Sequence, residues 1–412
     1  MRKRRVKKLG WIGVLCWGLC PLFADLSTAL NQLIHQQKNG EKLGIYVENV
    51  ETGAPLYAYN ANHLMTPAST TKMFTAAAAY LYLGPQYRFV TSMASSAPVA
   101  SVLKGNVYVD FSGDPTLTAF DLYELTDQLR GLGIHEIEGN VVIDQTLFSG
   151  SYYGQNWASD DFGHCYAAPI SAAIINSNCI GGVAVKNTNV YANHMVAVAL
   201  AAAGIHVHGQ VVDGGTPAHV RILAVHYSKP LSDILSYMLK YSDDVYANAL
   251  IKTIGHAYYN VGSYQKGVMA ANAILMDHIG KSFMPFHLTD GSGLSVTDAL
   301  SPEQLVQILH YMFHNPSLAN LFIRSLPISG EGGTLVYRLT MHPFLGHVYA
   351  KTGTFEHDNG GVSSLSGYLI LPGRPVIAFA IMMNQLSGNM FHAQHLQDEI
   401  VRELAEVYTV PR

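Results

Sequence analysis

The chain has 412 residues, of which 49% are hydrophobic and only 13% are charged, and its formal net charge is −4. This length and apolar content predict an ordered globular protein with a large core and exclude an intrinsically disordered chain. The acidic balance excludes an electrostatic surface for nucleic acid and disfavours attachment to anionic membranes.

The N-terminus predicts a secretory signal peptide over residues 1–24. Six basic residues precede an apolar run from Leu9 to Phe23, which Pro21 interrupts. A run of about fifteen residues is short for a spanning helix, although it leaves an uncleaved anchor open. We therefore expect an exported protein, periplasmic in a Gram-negative source, soluble or loosely membrane-associated. Removal of the leader takes the net charge from −4 to −10.

The predicted secondary structure of the first half of the mature chain changes near residue 87. A hairpin of two short strands is predicted within Leu43–Tyr59, followed by a buried helix that starts near Ser69. Residues 87–225 then show short strands and loops, with helices at Phe120–Leu132 and Asn193–Ala203. This stretch is typical of one or two small inserted α+β units.

The second half returns to helices and ends in strands. A helix beginning at the capping residue Ser301 joins three other predicted helices, at Leu231–Lys240, Asp243–Thr253 and Tyr264–His278. Three strands and an amphipathic helix follow, at His347–Phe355, Ser364–Leu371, Pro375–Asn384 and Ala393–Tyr408. Strands from both ends and helices from the middle predict one α+β domain, residues 25–86 with 226–412, split in sequence by the insert 87–225.

Ser69 and Lys72 lie three residues apart at a predicted helix start, so their side chains share one face. A serine hydroxyl becomes a nucleophile when a nearby base takes its proton, and a lysine with a lowered pKa can be that base. The backbone N–H of Ser69 at a helix start would also face an oxyanion. An isolated Ser-x-x-Lys is more often a helix cap beside a solvated lysine, so the interpretation depends on later motifs.

Two later motifs extend the set: Ser242 with Asp244 at a predicted helix start, and a Lys-Thr-Gly-Thr strand beginning at Lys351. Taken singly, the first is a helix cap and the second an edge strand. In the order Ser-x-x-Lys, Ser-x-x, Lys-Thr-Gly they match the pattern of penicillin-binding proteins and serine β-lactamases.

The Lys-Thr-Gly-Thr strand has a mechanical use in such a site. Lys351 would supply positive charge, and the hydroxyls of Thr352 and Thr354 would hold a carboxylate. Gly353 would let a substrate backbone lie close to the strand. The N–H of Thr354 would complete an oxyanion hole with that of Ser69.

With these motifs the sequence resembles the D-alanyl-D-alanine carboxypeptidase/endopeptidases, low-molecular-mass, class C penicillin-binding proteins with a large insert between the first two motifs. Further segments resemble the family in the family's order, at Ser112–Leu117, Gly139–Asp144, Tyr166–Pro169, Asp290–Ser295 and Gly332–Leu335. The resemblance covers nearly the whole mature chain. It implies a penicillin-binding-protein/β-lactamase-like transpeptidase domain, an antiparallel sheet flanked by helices.

The resemblance also implies roles for the matching residues. Ser69 would be acylated by the penultimate D-alanine carbonyl of a peptidoglycan stem peptide, or by a β-lactam antibiotic, with Lys72 as general base. Ser242 would relay a proton to the leaving D-alanine, and Lys351 would keep the site positive. Water would then hydrolyse the acyl-enzyme, so no metal or organic cofactor is expected.

Asp244 departs from the family, which usually has asparagine at this substrate-binding position. An ionised carboxylate accepts but cannot donate, and close to Lys72 it would favour the charged ammonium, opposing the base role. A protonated Asp244 would mimic the amide, and Asn248, one helical turn on, is another candidate donor. We expect reduced rather than absent acylation, and a faster Asp244→Asn variant.

Rival functions stay open at this point. A β-lactamase shares the acylation apparatus but needs a dedicated deacylating group, for which the sequence shows no obvious motif. A catalytically weak penicillin-binding or cell-wall scaffold protein is the alternative that Asp244 favours. The sequence does not decide between carboxypeptidase and endopeptidase activity, or between a monomer and a homo-oligomer.

Cysteine and histidine usage limits the cofactor chemistry. Two cysteines follow the leader, Cys165 and Cys179, and a disulfide and a pair of free buried thiols fit the pattern equally. The histidine pairs at strand or helix spacing lack a third ligand, so no metal site is expected at His206 with His208 or at His392 with His395.

Overall fold

The computed structural model describes residues 20–35, 40–280, 286–356, 360–387 and 390–406. Residues 1–19 of the predicted signal peptide and the predicted helix end at Tyr408 lie outside these ranges. The helices in chain order are α1 (Cys20–Ile34), α2 (Thr71–Tyr82), α3 (Ala119–Gly131), α4 (Thr188–Ala202), α5 (Leu231–Tyr241), α6 (Asp244–Tyr259), α7 (Tyr264–Ile279), α8 (Pro302–His314), α9 (Ala319–Ser325) and α10 (Met390–Glu406).

The strands are β1 (Lys42–Asn49), β2 (Ala54–Tyr59), β3 (Val90–Ser95), β4 (Val102–Leu103), β5 (Val107–Asp110), β6 (Glu136–Ile137), β7 (Val141–Asp144), β8 (Cys179–Ile180), β9 (Val183–Ala184), β10 (His206–Val207), β11 (Val211–Asp213), β12 (Arg221–Tyr227), β13 (Val348–Phe355), β14 (Gly361–Leu369) and β15 (Ile377–Leu386). The predicted N-terminal hairpin and C-terminal strands are confirmed. None of the helices in the described part of the chain combines the length and apolar character that a bilayer crossing requires.

A five-stranded antiparallel sheet joins the two ends of the chain. Its strand order is β13-β14-β15-β1-β2, so the N-terminal hairpin extends the C-terminal meander through the β1–β15 pair. The α+β domain split in sequence is therefore confirmed. Strand β14 is buried along its whole length because helices cover both faces of the sheet.

Helices α1 and α10 pack on one face of this sheet, and α8 packs on the other. The predicted apolar face of α10 is buried at Leu396, Ile400 and Leu404. Helix α8 begins as predicted, because Ser301 and Gln304 form a reciprocal capping box. Helix α2 lies in the second core layer and is buried from Thr71 to Tyr80, in contact with α5, α6, α7 and α8.

The inserted residues form their own sheets. Strands β11-β7-β5-β3-β12 make a five-stranded mixed sheet, and β10-β6-β4 make a small parallel one. The two helices predicted here are α3 and α4, although α4 starts five residues early, at Thr188. Strand β12 pairs with β3 and runs to Tyr227, two residues past the expected boundary at 225.

Residues 145–178, here called the wall segment, connect β7 to β8 with little regular structure. Cys165, at its centre, forms a disulfide with Cys179, which decides between the two alternatives that the sequence left open. The wall segment runs back from the inserted sheet to the helical layer. There Lys252 of α6 donates to the backbone oxygens of Ser151 and Ile170, at 2.8 and 3.0 Å.

Candidate active site

A cleft of about 420 Å³ lies where the start of α2, the α5–α6 junction and strand β13 face the wall segment. Its lining unites residues that are far apart in sequence, namely Ala68, Ser69, Asp160, Asp161, Tyr166, Ser242, Asp244, Gly293, Leu294, Thr334, Thr352, Thr354, Phe355 and Glu356. Five of the eight site residues expected from sequence are among them. The other three, Lys72, Lys351 and Gly353, are buried directly behind this surface.

Ser69 lies in a 3₁₀ turn, Ala68–Thr70, that continues directly into α2. Ala68 has a φ of +48°, a conformation that costs energy for a residue with a side chain and that is common beside functional groups. A hydrogen bond within the turn stabilises it, because Thr70 Oγ1 donates to the carbonyl oxygen of Pro67 at 2.7 Å. Ser69 is therefore held at the mouth of the cleft by a strained, hydrogen-bonded turn.

Two glycines allow this turn to pack so closely. A Cβ on Gly353 would lie 2.7 Å from the carbonyl oxygen of Pro67 and 3.1 Å from the nitrogen of Ser69. A Cβ on Gly293, whose φ is +80°, would lie 2.0 Å from the carbonyl oxygen of Ala68. Gly353 therefore makes room for the nucleophile's own turn, whereas the sequence had suggested room for a substrate backbone.

Lys72 is 0% exposed, and its amino group has three acceptors. Nζ lies 2.8 Å from Ser69 Oγ, 2.6 Å from Asp244 Oδ1 and 2.9 Å from the carbonyl oxygen of Ser292. An ammonium group has three N–H donors, so these contacts use all of them. The expected Ser69–Lys72 pair is therefore formed, with Asp244 as its immediate neighbour.

A second lysine–serine pair faces the first. Ser242 has a φ of +61° at the junction of α5 and α6, and its hydroxyl accepts from Lys351 Nζ at 2.8 Å. Lys351 also donates to the carbonyl oxygen of Thr352 at 2.7 Å. Burial, and then the charge of Lys72, hold the pKa of Lys351 well below its ordinary value, with Asp244 acting in the opposite direction. Burial thus works against the positive charge expected of Lys351.

Asp244 begins α6 with its side chain 13% exposed. Burial raises the pKa of its carboxyl above the ordinary value, and the neighbouring Lys72 ammonium acts to lower it. Asn248, the other donor considered, does not line the cleft. It is fully buried, accepts from the N–H of Gly291 and donates to Ser292 Oγ, both at 3.1 Å. Its role is to hold the loop whose Ser292 carbonyl contacts Lys72.

Asp290 organises the same loop. Its fully buried carboxylate accepts from the backbone N–H groups of Ser292 at 2.8 Å and Gly293 at 2.7 Å. It also accepts from Trp157 Nε1 of the wall segment, at 2.7 Å. Asp290 lies in a segment with a family resemblance, but only the folded structure shows that it joins the catalytic loop to the wall segment.

The two threonines of the Lys-Thr-Gly-Thr strand lie in the cleft beside a third threonine. The side chains of Thr352 and Thr354 line the cleft, and Thr352 Oγ1 donates to Thr334 Oγ1 at 2.7 Å. Thr334 lies in the segment Gly332–Leu335, which resembles the family, but no motif of the sequence marks it as a residue of the cleft. Three threonine side chains therefore lie at this end of the cleft, where they could hold an anionic group.

The acidic wall was not anticipated. Asp160, Asp161 and Tyr166 line the cleft from the wall segment, with Glu356 beyond the end of β13. Tyr166 donates its hydroxyl proton to Asp161 Oδ1 at 2.9 Å, and burial together with this partner raises the pKa of Tyr166 to about 12. No spacing rule links these residues to Ser69, because only the fold brings them together.

The described residues lining the cleft include no histidine or cysteine. A group with metal-ligand spacing lies elsewhere, on α3 and β12, where ligand atoms of Asp121, Glu124 and His226 fall within 4.8 Å of one another. All three residues are at least partly exposed, and exposed groups of this kind are common without an ion. The cleft itself offers nucleophile–base chemistry instead.

A serine paired with a buried lysine faces a second serine, whose lysine partner comes from a Lys-Thr-Gly strand. This arrangement defines a serine acyl-transfer enzyme of the penicillin-binding-protein and β-lactamase-like class. Within that class, the chain belongs to the D-Ala-D-Ala carboxypeptidase 3 (S13) family, whose sequence pattern matches residues 26–182 and 181–407. The protein is a serine-type D-Ala-D-Ala carboxypeptidase, a hydrolase.

Individual relatives agree with this assignment. The D-alanyl-D-alanine carboxypeptidase DacB of Haemophilus influenzae is 30% identical, over 89% of this chain and 90% of the relative. The D-alanyl-D-alanine carboxypeptidase of an Actinomadura species is 29% identical, over 89% and 82%. The crystal structure of penicillin binding protein 4 (dacB) from Haemophilus influenzae matches with a TM-score of 0.84 at 29% identity, covering 92% of this chain and 99% of that one. A complex of that protein with a β-lactam matches with a TM-score of 0.80 at 28% identity, with the same coverage.

Proposed function

We propose that Ser69 is the residue acylated by peptidoglycan stem peptides and by β-lactam antibiotics, and that the enzyme acts in the periplasm. The carrying observation is the 2.8 Å contact between Ser69 Oγ and Lys72 Nζ at the mouth of the cleft. The β-lactam complex of the Haemophilus influenzae relative supports the second kind of ligand.

In the acylation step, the proton of Ser69 passes to Lys72 while Oγ attacks the penultimate D-alanine carbonyl. The N–H groups of Ser69 and Thr354 stabilise the resulting oxyanion. Ser242, hydrogen-bonded to Lys351, gives a proton to the leaving D-alanine nitrogen as the C–N bond breaks. Water then attacks the ester and regenerates Ser69.

The threonines at the other end of the cleft select the substrate. Thr352 and Thr354, with Thr334 behind Thr352, bind the terminal carboxylate of the stem peptide. A free carboxylate at this position favours carboxypeptidase activity, since it places the last peptide bond against Ser69. Endopeptidase activity requires that the same place accept, instead of the terminal D-alanine, the cross-linking residue whose amine carries the D-alanyl group.

We further propose that residues 25–86 and 226–412 form the peptidase domain and that 87–225 form the insert, with its last strand extended to Tyr227. Export through cleavage of residues 1–24 is supported by the Cys165–Cys179 disulfide, because disulfides persist in oxidising compartments. The homo-oligomer stays a prediction, which sedimentation of the mature protein would test.

Intact-mass spectrometry after incubation with benzylpenicillin tests the nucleophile. We expect one penicilloyl adduct on the wild type and none on Ser69→Ala, with both proteins giving the same circular dichroism spectrum. An adduct on Ser69→Ala would overturn the assignment.

A second assay separates the rival functions. We expect D-alanine release from a pentapeptide and slow turnover of penicillin. Rapid penicillin turnover would identify a β-lactamase, and the absence of both adduct and D-alanine release would identify a scaffold.

A further inference from the structure

Asp244 places a carboxylate beside Lys72, where the family that the sequence resembles usually has an amide, and its part in the reaction rests on the proposed role of Ser69. Lys72 Nζ donates to Ser69 Oγ, to Asp244 Oδ1 and to the carbonyl oxygen of Ser292. An ammonium nitrogen that makes three donor bonds has no lone pair, so it cannot accept the Ser69 proton without releasing one of its own. The identity of the acceptor therefore decides how acylation begins.

Only one of the three partners can hold the released proton. A backbone carbonyl is a very weak base, which excludes Ser292, and Ser69 is the proton source. Asp244 makes the shortest of the three contacts, at 2.6 Å, against a lysine that is 0% exposed. Burial raises the affinity of Asp244 for a proton, which makes it a better acceptor than an ordinary aspartate.

We propose that Asp244 is the terminal proton acceptor in acylation and that Lys72 works as a proton relay. One N–H proton of Lys72 moves to Oδ1 of Asp244, which leaves a lone pair on Nζ. Nζ then takes the Oγ proton as the bond from Ser69 Oγ to the carbonyl carbon forms. Lys72 begins and ends the step as an ammonium, the carboxylate becomes a neutral acid, and the negative charge passes to the substrate oxyanion. The relay changes the active protonation state, because a charged Lys72 is then competent.

Other charged and titratable groups surround the pair and must be separated from it. Lys351 faces it from β13 and lowers the pKa of Asp244, whereas Asp290 in the loop before α8 raises it. The wall segment contributes Asp160, Asp161 and Tyr166, and Glu356 lies beyond β13.

Asp243, the N-cap of α6, is the group most easily confused with Asp244. Burial, and then the charge of Asp244, raise the pKa of Asp243 to about 6. Asp243 does not line the cleft, and its Oδ1 accepts from the N–H of Tyr246 at 3.0 Å. Since asparagine caps helices as well as aspartate does, Asp243→Asn is a matched control.

The test is the second-order rate of acylation by benzylpenicillin between pH 5 and pH 10, followed by intact mass. In the wild type the rate should fall on the acid side only when Asp244 is protonated. In Asp244→Asn the base is the neutral amine of Lys72, so the rate should fall as the ammonium forms, at higher pH. We expect the pH below which the rate falls to be at least about one unit lower in the wild type than in Asp244→Asn, so that the wild type is about tenfold faster near pH 6.

We call this falling part of each pH–rate profile its acid limb. At pH values above the acid limb of Asp244→Asn, that variant becomes the faster protein. Asp243→Asn should have the same acid limb as the wild type.

An acid limb at higher pH in the wild type than in Asp244→Asn overturns the relay. If Asp244 only stabilises the ammonium, the wild-type limb lies at higher pH than that of Asp244→Asn, and coincident limbs also exclude the relay. A proton inventory in H₂O/D₂O mixtures gives a second readout: a curved plot for the wild type, with two protons in transfer, and a straight one for Asp244→Asn. If the adduct forms but the acid limb of the wild type is not the lower one, the relay alone is refuted. If no adduct forms at any pH, the role of Ser69 is refuted as well.

Discussion

The catalytic side of the cleft and the wall segment that faces it are built by different means. On the catalytic side, Ser69 and Asp244 lie at the starts of helices and Lys351 on a strand, so regular elements fix each group. The wall segment has almost no regular structure and is held by side chains and one covalent bond. Chemistry therefore depends on short local motifs, whereas the shape of the cleft depends on a few long-range contacts.

Lys252 is one of the noncovalent ties that hold the wall segment. Its amine lies over the rings of Phe148 at 5.5 Å and Tyr264 at 4.7 Å, besides its bonds to the backbone oxygens of Ser151 and Ile170. Burial lowers its pKa to about 7. Lys252 thus shares with Lys351 a buried amine of lowered pKa, but none of the residues that it contacts, in the wall segment and at Tyr264 of α7, lines the cleft.

The strongest test of this division removes a group from the catalytic side. Lys72→Met should reduce the rate of acylation by benzylpenicillin about 10²- to 10⁴-fold, because the proton of Ser69 loses the amine that passes it to Asp244. The same substitution at the exposed Lys104 of the insert is the control and should leave the rate unchanged. A loss smaller than about tenfold would show that the proton leaves Ser69 by a path without Lys72.

The next test removes the disulfide of the wall segment. Cys165→Ser/Cys179→Ser removes a link between residues 14 apart, which should lower the free energy of unfolding by about 3 kcal/mol through loop entropy. The acylation rate at 25 °C should change far less than in Lys72→Met. Reduced wild type is the matched control in urea denaturation. Equal stability of the oxidised wild type and the variant would contradict the structural role of the bond.

The smallest expected effect comes from the noncovalent tie. Lys252→Met leaves two buried carbonyl groups without their donor, which should cost about 1–3 kcal/mol of unfolding free energy. Because the folded pKa lies near 7 and the ordinary value is 10.5, the unfolded chain binds more protons between these values. The contribution of Lys252 to stability therefore rises with pH across this window.

Urea unfolding of both proteins at pH 7 and pH 9 measures this dependence. The difference between wild type and Lys252→Met should be larger at pH 9. A difference that stays constant or shrinks would show that the lysine is not buried as the structure places it, while an unchanged acylation rate would confirm that the two sides are separable.

Sequence reasoning reached the catalytic side because its groups sit at fixed spacings within helices and strands. The Ser69–Lys72 contact follows from helix periodicity, and the start of α8 follows from the chemistry of Ser301 and Gln304. Order along the chain and a family resemblance then paired Ser242 with Lys351. The predicted split of the α+β domain succeeded for a similar reason, since strand patterns at both ends call for a shared sheet.

The remaining features depend on contacts that no local pattern contains. Asp161 reaches the cleft only because the wall segment folds back onto α6. Asn248 was a second candidate donor beside Asp244, but its position on the inner face of α6 directs it to the loop at Gly291. Gly353 was expected to face the ligand, yet its missing side chain accommodates the turn before Ser69. In each case the direction of a side chain, which sequence spacing alone does not fix, decided the outcome.

Helix α6 has one further consequence, because it carries both Asp244 and Lys252. Lys252 follows Asp244 by eight positions, which is a rise of about 12 Å along the helix. Asp244 contacts Lys72, and Lys252 donates to two backbone oxygens of the wall segment. Because both residues belong to one rigid helix, the distance between the Ser69–Lys72 pair and the wall segment is fixed before a stem peptide binds.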